Sequence, residues 1–298
     1  ATMGDLLESE QLADVRGLIR SILGFTFAIE FIGAILLSGL WANEPLGERA
    51  FQSVFHSVSA FCNAGFSTRT ENLMGWELKW QVWLVVAGLI ILGGFGFTAL
   101  DNLYRVCVDR CCRRPNLPLV PRQRAKLTLS TKLVGTTTLA LLVGGTVVLL
   151  AMEYNNPAHP SALKSQLANA WFHSVTLRTA GFNTIDHGQL TAASKLFGIM
   201  LMFVGASPGS TGGGVKTICL AISILTLKAV LRGRTNVEVM KRTIPEVQVY
   251  RGLAVIALAL TTQMIASLMV VSFERQPQLV LDHLYEVASA LGTVGVST

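Results

Sequence analysis

The chain has 298 residues, of which 51% are hydrophobic and 14% are charged, whereas about a quarter of the residues of a soluble domain are charged. Together with a mean hydropathy of +0.51, this composition excludes a soluble globular domain. It also excludes a disordered chain, which needs low hydrophobicity and high charge. The five cysteines are too few and too scattered for a disulfide scaffold.

The positive charges, which give a net charge of +6, are clustered along the chain. Of the 24 Lys and Arg residues, 16 lie within residues 1–20, 105–132 and 228–251. Each cluster adjoins an apolar run, which is the positive-inside pattern of integral membrane proteins rather than a nucleic-acid-binding face. The sequence therefore predicts a multi-pass protein of the cell (plasma or inner) membrane, with these clusters in the cytoplasm and no nucleic acid bound.

Five apolar runs are each long enough to cross a hydrocarbon core about 30 Å thick as a helix. The first contains one charge, Glu30, for which two interpretations remain open: a buried partner such as a hydroxyl of a neighbouring short helix, or an ion site. In the second run, Gly93, Gly94 and Gly96 favour close helix packing. The runs cover residues 22–40, 82–100, 133–152, 196–227 and 253–271.

Each external connection contains a second, shorter apolar segment, at residues 51–62, 165–177 and 279–291. These segments are too short to span the membrane, so they are interpreted as re-entrant helices. Taken singly, each could instead be an amphipathic helix on the outer surface. Their repetition favours the re-entrant interpretation.

A repeat accompanies the short segments. Residues 55–68, 172–184 and 285–298 resemble one another, and their glycines, Gly65, Gly181 and Gly295, are 116 and 114 residues apart. A single glycine after a short helix would most simply be a helix C-cap. Three at a nearly constant period predict a unit of membrane helix, pore helix, glycine-containing strand and membrane helix.

The strands of this unit are predicted to bind a monovalent cation through their carbonyls. A short helix that enters from outside ends with its negative dipole end in the membrane, and a following glycine allows the positive φ that turns carbonyls toward an axis. The third strand is close to the potassium-filter pattern TVGYG. The side chains are neutral, so selectivity for K⁺, the one metal ion expected, rests on the backbone. The predicted filter residues are Asn63, Ala64, Gly65, Thr179, Ala180, Gly181, Thr293, Val294 and Gly295.

The fourth apolar run is interrupted by glycines and a proline at residues 205–216. No continuous helix survives this sequence, and irregular backbone at membrane depth is tolerated only beside protein or a water-filled cavity. We therefore expect a gating loop below the filter, in which Lys216 either obstructs the path or anchors the loop. The predicted loop residues are Gly205, Ala206, Ser207, Pro208, Gly209, Ser210, Thr211, Gly212, Gly213, Gly214, Val215 and Lys216.

A phosphate-binding loop is the competing interpretation of the same residues. The pattern G-x-x-x-x-G-K-[ST] fails by one position, because Val215 separates Gly214 from Lys216, and the segment follows a membrane run rather than a β-strand. No catalytic set of side chains gives an enzyme better support. The sequence therefore predicts no enzymatic activity and no covalently bound cofactor.

Four motifs resemble those of the Trk/Ktr/HKT potassium transporters. FHSVSAFCNAGFST at 55–68 resembles the second pore loop of this superfamily, and EVASALGTVGVST at 286–298 resembles its fourth filter strand. VTLRTAGFNTID at 175–186 and GASPGSTGGGVKT at 205–217 resemble the bacterial Ktr-type membrane subunit more than the Trk type. The resemblance covers nearly the whole chain.

The resemblance implies an all-α membrane protein whose hairpins are arranged pseudo-fourfold around a central pore, with the first hairpin and the last helix absent from this chain. The implied segments are a cytoplasmic lead-in, the second hairpin, a basic cytoplasmic linker, the third hairpin with its broken helix, a second basic linker, and the first part of the fourth hairpin. In order, they cover residues 1–20, 21–104, 105–131, 132–230, 231–249 and 250–298.

The same resemblance implies the pore-forming subunit of a potassium uptake system, with K⁺ as the conducted ion and Na⁺ as an alternative transported or activating ion. It further implies a homodimer in membrane lipid that sits on a cytoplasmic ring of nucleotide-binding regulatory subunits. The basic stretches 105–132 and 228–251 would be the docking surfaces, although anionic lipid explains the same charge. A Trk-type or sodium-conducting relative is the first alternative, and a membrane enzyme or a non-conducting scaffold are further ones.

Overall fold

The computed structural model describes residues 3–111, 125–158, 162–234, 236–240, 242–273 and 276–298. The described part is mostly helical, with ten α-helices and one two-stranded antiparallel ribbon. Much of the first predicted linker, residues 112–124, lies outside the described residues. The helices are α1 Met3–Leu37, α2 Leu46–Phe61, α3 Ala87–Phe95, α4 Phe97–Cys111, α5 Leu129–Glu153, α6 Leu163–Thr176, α7 Ala192–Phe203, α8 Thr217–Leu231, α9 Glu246–Phe273 and α10 Val280–Leu291.

Three described helices are long and apolar enough to cross a membrane: residues 19–37 of α1, α5 and α9. Most of the residues in these three spans are not buried. In α9, the side chains of Leu258, Met264 and Leu268 are all more than 60% exposed. A long helix with such exposed apolar side chains is expected to be surrounded by lipid.

The second predicted span, residues 82–100, is not one continuous helix in the structure. A π-helical turn, Gln81–Val86, leads into α3, and the chain then bends by 104° into α4. The bend occurs at Gly96, whose φ is +92°. The N–H of Phe97 donates to the carbonyl of Gly209 (2.9 Å) instead of continuing the helix. A tertiary contact with the interrupted fourth run therefore breaks the second.

The three short apolar segments are confirmed as helices α2, α6 and α10, with α2 beginning five residues earlier than expected. Two of them are attached to the preceding long helix in the same way. Ser57 Oγ donates to the carbonyl of Glu30 (2.7 Å), and Ser174 Oγ donates to that of Leu142 (2.9 Å). A hydroxyl of each short helix thus replaces water at a carbonyl of α1 or α5.

The close approach of these helices depends on glycine. A Cβ at Gly33 would collide with Ser57 Oγ, and one at Gly145 would collide with Ser174 Oγ. For Glu30, the hydroxyl of Ser57 on α2 donates to the main-chain carbonyl, while the carboxylate Oε1 accepts from the thiol of Cys62 (3.7 Å). The expected packing role of Gly93 is also found, since a Cβ there would collide with the carbonyl of Phe61.

Three polar contacts join the repeats at the level of the short helices. Lys195 Nζ on α7 lies 2.5 Å from Asp282 Oδ1 on α10, and His187 Nδ1 lies 2.7 Å from the hydroxyl oxygen of the buried Tyr285. The N–H of Leu73 donates to the carbonyl of Asn183 (3.0 Å). These contacts fix the short helices and the segments that follow them relative to one another.

The second predicted linker forms a small antiparallel ribbon between α8 and α9. Its strands are β1, Glu238–Val239, and β2, Arg242–Thr243, paired in the register Glu238↔Thr243 and Val239↔Arg242. Val237, Val239 and Ile244 pack with α8 and α9 in an apolar cluster of their own. This ribbon is the local exception to the expected all-helical fold.

Candidate functional site

The segments that follow α2, α6 and α10 have the same backbone conformation. The predicted glycines have positive φ, at +71° for Gly65, +89° for Gly181 and +88° for Gly295. The residue two positions before each glycine is also left-handed, which the sequence analysis missed. Their φ values are +52° for Asn63, +71° for Thr179 and +53° for Thr293.

A left-handed threonine is unusual. Asn tolerates this conformation, but a β-branched residue with positive φ is an outlier that persists only when its surroundings enforce it. Thr179 is fully buried, whereas Thr293 is exposed. Positive φ recurs at the corresponding residue of all three repeats, so it is a consistent feature of these strands. We call residues 63–65, 179–181 and 293–295 the glycine strands.

One hydroxyl on each short helix holds the end of the following glycine strand. The hydroxyl donates to the main-chain carbonyl of the residue that follows the strand's glycine. The same hydroxyl-bearing residue also accepts, through its own main-chain carbonyl, a hydrogen bond from the N–H of the residue that precedes the glycine. The hydroxyl bonds are Ser59 Oγ to Phe66 O (2.8 Å), Thr176 Oγ1 to Phe182 O (2.7 Å) and Ser289 Oγ to Val296 O (2.6 Å). The main-chain bonds are Ala64 N to Ser59 O (2.9 Å), Ala180 N to Thr176 O (2.9 Å) and Val294 N to Ser289 O (2.8 Å).

Replacing Ser289 with alanine should weaken the third glycine strand. The carbonyl of Val296, a residue that is 2% exposed, would lose its hydroxyl donor, and an unpaired buried acceptor costs about 1–3 kcal/mol. We expect a lower melting temperature in detergent. Ser289→Thr is the matched control, because the second strand uses Thr176 in this position. Equal melting temperatures for both variants would contradict the assigned bond.

Further contacts hold the outer ends of two strands. His56 Nε2 lies 3.1 Å from Ser67 Oγ. At the corresponding place in the third repeat, Glu286 Oε1 accepts from Ser297 Oγ (2.7 Å) and from the N–H of Thr298 (2.7 Å). His56 and Glu286 each come one residue after the aromatic residue that opens the repeat motif. The correspondence between these two repeats therefore extends beyond the strands themselves.

The three strand glycines meet at one place. A Cβ on Gly65 would collide with the carbonyl oxygen of Ala180 and lie 2.6 Å from the Cα of Gly181. A Cβ on Gly181 would lie 2.6 Å from the carbonyl oxygen of Val294. The structure therefore brings the strands of all three repeats together, and a carbonyl of one strand approaches the glycine of the next.

The interrupted run forms a compact loop between α7 and α8. The N–H of Gly205 donates to the carbonyl of Val215 (3.0 Å), and the N–H of Ala206 donates to that of Gly213 (3.1 Å). A Cβ on Gly205 would collide with the carbonyl oxygen of Gly213. The predicted break in the helix is confirmed, and glycine is needed where the two arms of the loop cross. We call residues 205–216 the glycine loop.

The glycine loop lies against the first residue of every glycine strand. A Cβ on Gly212 would collide with Thr179 Oγ1 and lie 3.0 Å from the side-chain amide of Asn63, and one on Gly213 would collide with Thr293 Oγ1. These contacts are at the strand ends that follow directly from the short helices. The loop thus covers one end of the place where the strands meet.

Lys216 anchors the loop in this structure. Its Nζ donates to the carbonyl of Gly212 (2.7 Å), four residues earlier in the same loop. Of the two alternatives from the sequence, anchoring to a carbonyl is the arrangement observed. The ammonium group therefore fixes the glycine that faces Thr179 and Asn63.

Arg178 is a buried charge at the site that the sequence analysis did not select. It is 7% exposed and comes directly before the second glycine strand. Its Nη2 lies 3.5 Å from the carbonyl oxygen of Gly205, where the loop begins. The available signal was an arginine inside an otherwise apolar repeat motif, in a place where the other two repeats carry no charge.

Exposed apolar helices and short helices that end on converging, partly left-handed strands are features of an integral membrane protein with a site in its interior. The chain belongs to the TrkH family, described as cation transport protein, which matches residues 2–298. This is a family of membrane transporters and not of enzymes, so the phosphate-loop alternative is set aside.

Similar proteins agree with this family. The potassium/sodium uptake protein NtpJ of Enterococcus hirae is 33% identical over 98% of this chain. The Ktr system potassium uptake protein B of Vibrio alginolyticus is 33% identical over 98%, and that of Bacillus subtilis is 32% identical over 98%. The chain spans 62%, 62% and 63% of the lengths of these three relatives.

The fold also has a counterpart among solved structures. The crystal structure of the potassium transporter TrkH from Vibrio parahaemolyticus superposes with a TM-score of 0.67, at 16% sequence identity. The match covers 92% of this chain and 55% of that chain. At this identity, the similarity establishes the fold.

Proposed function

We propose that this chain carries the ion-conducting part of a potassium uptake system, with the three glycine strands as its selectivity filter. The observation that carries the proposal is the recurrence of one unusual backbone conformation in three repeats whose glycines meet at one place. Family membership and the names of the relatives, which are uptake proteins for potassium or for potassium and sodium, support the same function.

The proposed filter works through carbonyl oxygens. Ordinary β backbone points successive carbonyls in opposite directions, whereas left-handed residues at the first and third positions of a strand turn them to one side. A ring of such oxygens replaces the hydration shell of K⁺. The residues assigned to it are Asn63, Ala64, Gly65, Thr179, Ala180, Gly181, Thr293, Val294 and Gly295.

The short helices add a favourable field for a cation. Each is separated from its glycine strand by one or two residues, so its last carbonyls and its negative dipole end lie close to the strand. The three hairpins are proposed as quadrants of a pseudo-fourfold pore, with the segment boundaries 1–20, 21–104, 105–131, 132–230, 231–249 and 250–298. The membrane potential would draw K⁺ inward along the common axis.

The glycine loop is proposed as the gate. Its Gly212–Gly213 step lies against the first residues of the strands, where an ion leaving a filter would emerge. A loop of small residues can move without repacking α7 and α8. Lys216, which donates to the carbonyl of Gly212, would hold the closed position.

Removing the Lys216 anchor should therefore increase flux. We expect Lys216→Met to raise rubidium flux severalfold, because the carbonyl of Gly212 loses a charge-assisted hydrogen bond of about 1.5–3 kcal/mol. Lys216→Arg keeps a donor and should stay near the wild-type rate. Isotope flux into liposomes measures both. A rate for Lys216→Met at or below that of the wild type would contradict the anchoring role.

The proposed assembly is a homodimer in membrane lipid, bound to cytoplasmic regulatory subunits that bind nucleotide. The relatives named as parts of a Ktr system support a multi-component protein. The basic stretches 105–132 and 228–251 are the proposed contacts. In the second stretch, Val237 and Ile244, which flank the ribbon of β1 and β2, border a cavity of about 180 Å³ between α8 and α9. Anionic lipid remains the alternative partner for this charge.

A sodium-conducting protein is the second candidate function, because NtpJ is named for both potassium and sodium. Glycine at all three filter positions favours potassium. The test is rubidium uptake by liposomes containing the full-length protein, with sodium present or absent and with potassium or sodium as competitor. Competition by potassium at much lower concentration than sodium supports the first function, and equal competition supports the second. An absence of uptake under all conditions would contradict both.

A further inference from the structure

Arg178 combines deep burial with few partners. The residue lies between the C-terminal end of α6 and the second glycine strand, and its side chain is 7% exposed. Transferring a guanidinium into a protein interior at membrane depth is costly, so such residues usually have a specific role. Arg178 is outside the filter and loop residues assigned above.

The direct contact of Arg178 is to the glycine loop. Its Nη2 lies 3.5 Å from the carbonyl oxygen of Gly205, which is a long contact for a hydrogen bond. Its Nε makes no hydrogen bond to any described residue. The fork of five donors on arginine is therefore only partly used by the protein itself.

Arg178 lines a small cavity. It has a volume of about 10 Å³, and its lining includes Arg178, Thr138 of α5 and Ala206 of the glycine loop. Thr138 is 5% exposed, and its Oγ1 likewise makes no hydrogen bond to a described residue. A cavity of this size accommodates one water molecule, provided that polar partners surround it. Two buried, unpartnered polar groups provide such partners.

We infer that Arg178 is a positioning residue that holds the glycine loop against the strands, through the carbonyl of Gly205 and through one water molecule shared with Thr138 in this cavity. The inference rests on the proposed function. Gly205 is coupled to the rest of the loop because its neighbour Ala206 donates to the carbonyl of Gly213 (3.1 Å). Fixing the start of the loop therefore also fixes the glycine that faces Thr293.

An electrostatic barrier is the competing role for the same charge. A buried cation near the path would repel K⁺ whether or not it touches the loop. Replacing Arg178 with lysine distinguishes the two roles, because lysine keeps the positive charge but lacks the planar guanidinium group and its fixed set of donors. Positioning predicts that Arg178→Lys and Arg178→Gln both release the loop. A barrier predicts that only Arg178→Gln raises flux.

The experiment compares Arg178→Lys, Arg178→Gln and Thr138→Val by rubidium flux and by potassium-over-sodium competition in liposomes. Thr136→Val is the matched control, since Thr136 is exposed on the same helix and bonds only that helix. We expect a severalfold higher flux for both Arg178 variants, a smaller increase for Thr138→Val, and unchanged competition ratios throughout. Thr136→Val should behave as the wild type.

Several outcomes would overturn the inference. Wild-type flux in Arg178→Lys together with raised flux in Arg178→Gln would assign a barrier instead. Wild-type flux in both, or altered ion competition without a change in flux, would also overturn it. If neither Arg178 variant folds, Thr138→Val decides, and an unchanged flux there overturns the inference. Gly181→Ser is measured in parallel, so that failure of this inference can be distinguished from failure of the proposed function. If the wild type takes up potassium selectively and Gly181→Ser loses that selectivity, the proposed function stands whatever the Arg178 variants show.

Discussion

Replacing Gly181 with serine is expected to reduce the preference for potassium over sodium by about tenfold or more, which corresponds to about 1.4 kcal/mol. Gly181 has φ +89°, and its Cβ would lie 2.6 Å from the carbonyl oxygen of Val294 and 3.1 Å from the Cα of Gly65. The second strand must therefore shift, and the shift moves carbonyls that would contact the ion. Competition of sodium and potassium for rubidium uptake measures the preference.

Gly75→Ser is the matched control for this substitution. Gly75 also has a positive φ, at +80°, but a Cβ there would meet nothing within 4 Å. The backbone strain is thus of the same kind, of the order of 1–2 kcal/mol, without a contact to another strand. The control should lose stability and keep its ion preference. If Gly181→Ser also keeps its preference while folding normally, the second strand does not form part of a filter.

Deleting Gly212–Gly214 is expected to raise potassium flux strongly and to weaken control by regulatory subunits. The deletion removes the carbonyl of Gly212 that binds Lys216 (2.7 Å) and the carbonyl of Gly213 that binds Ala206 (3.1 Å). It also removes the segment that lies against the first residues of the strands. Flux with and without the regulatory partner measures the effect. Wild-type flux that remains fully regulated would exclude a gating role for the loop.

The sequence predicted the backbone conformation correctly where the residue type itself determines that conformation. Glycine at a nearly constant period indicated positive φ at Gly65, Gly181 and Gly295, because glycine adopts that conformation without steric cost. The proline and glycines of the fourth run likewise predicted a broken helix. In both cases the local chemistry decides the backbone, and the structure has the predicted conformation.

Other features depend on contacts that a sequence does not display. The left-handed conformation of Thr179 and Thr293 opposes the local preference of threonine, so it could not be predicted from the residue type. The bend at Gly96 arises because the carbonyl of Gly209 takes the N–H of Phe97. The second repeat is one residue shorter between its hydroxyl and its strand, and only the bond from Thr176 to Phe182 makes the correspondence visible.

The central claim is that carbonyl oxygens of the three glycine strands surround a dehydrated cation. Rubidium or thallium soaked into crystals of the protein and located by anomalous scattering tests it most directly. The account predicts an anomalous peak between the strands, within contact distance of the carbonyl oxygens of Ala64, Ala180 and Val294, that sodium displaces poorly. Well-ordered strands without a peak between them, or a peak that sodium displaces as readily as potassium, would contradict it.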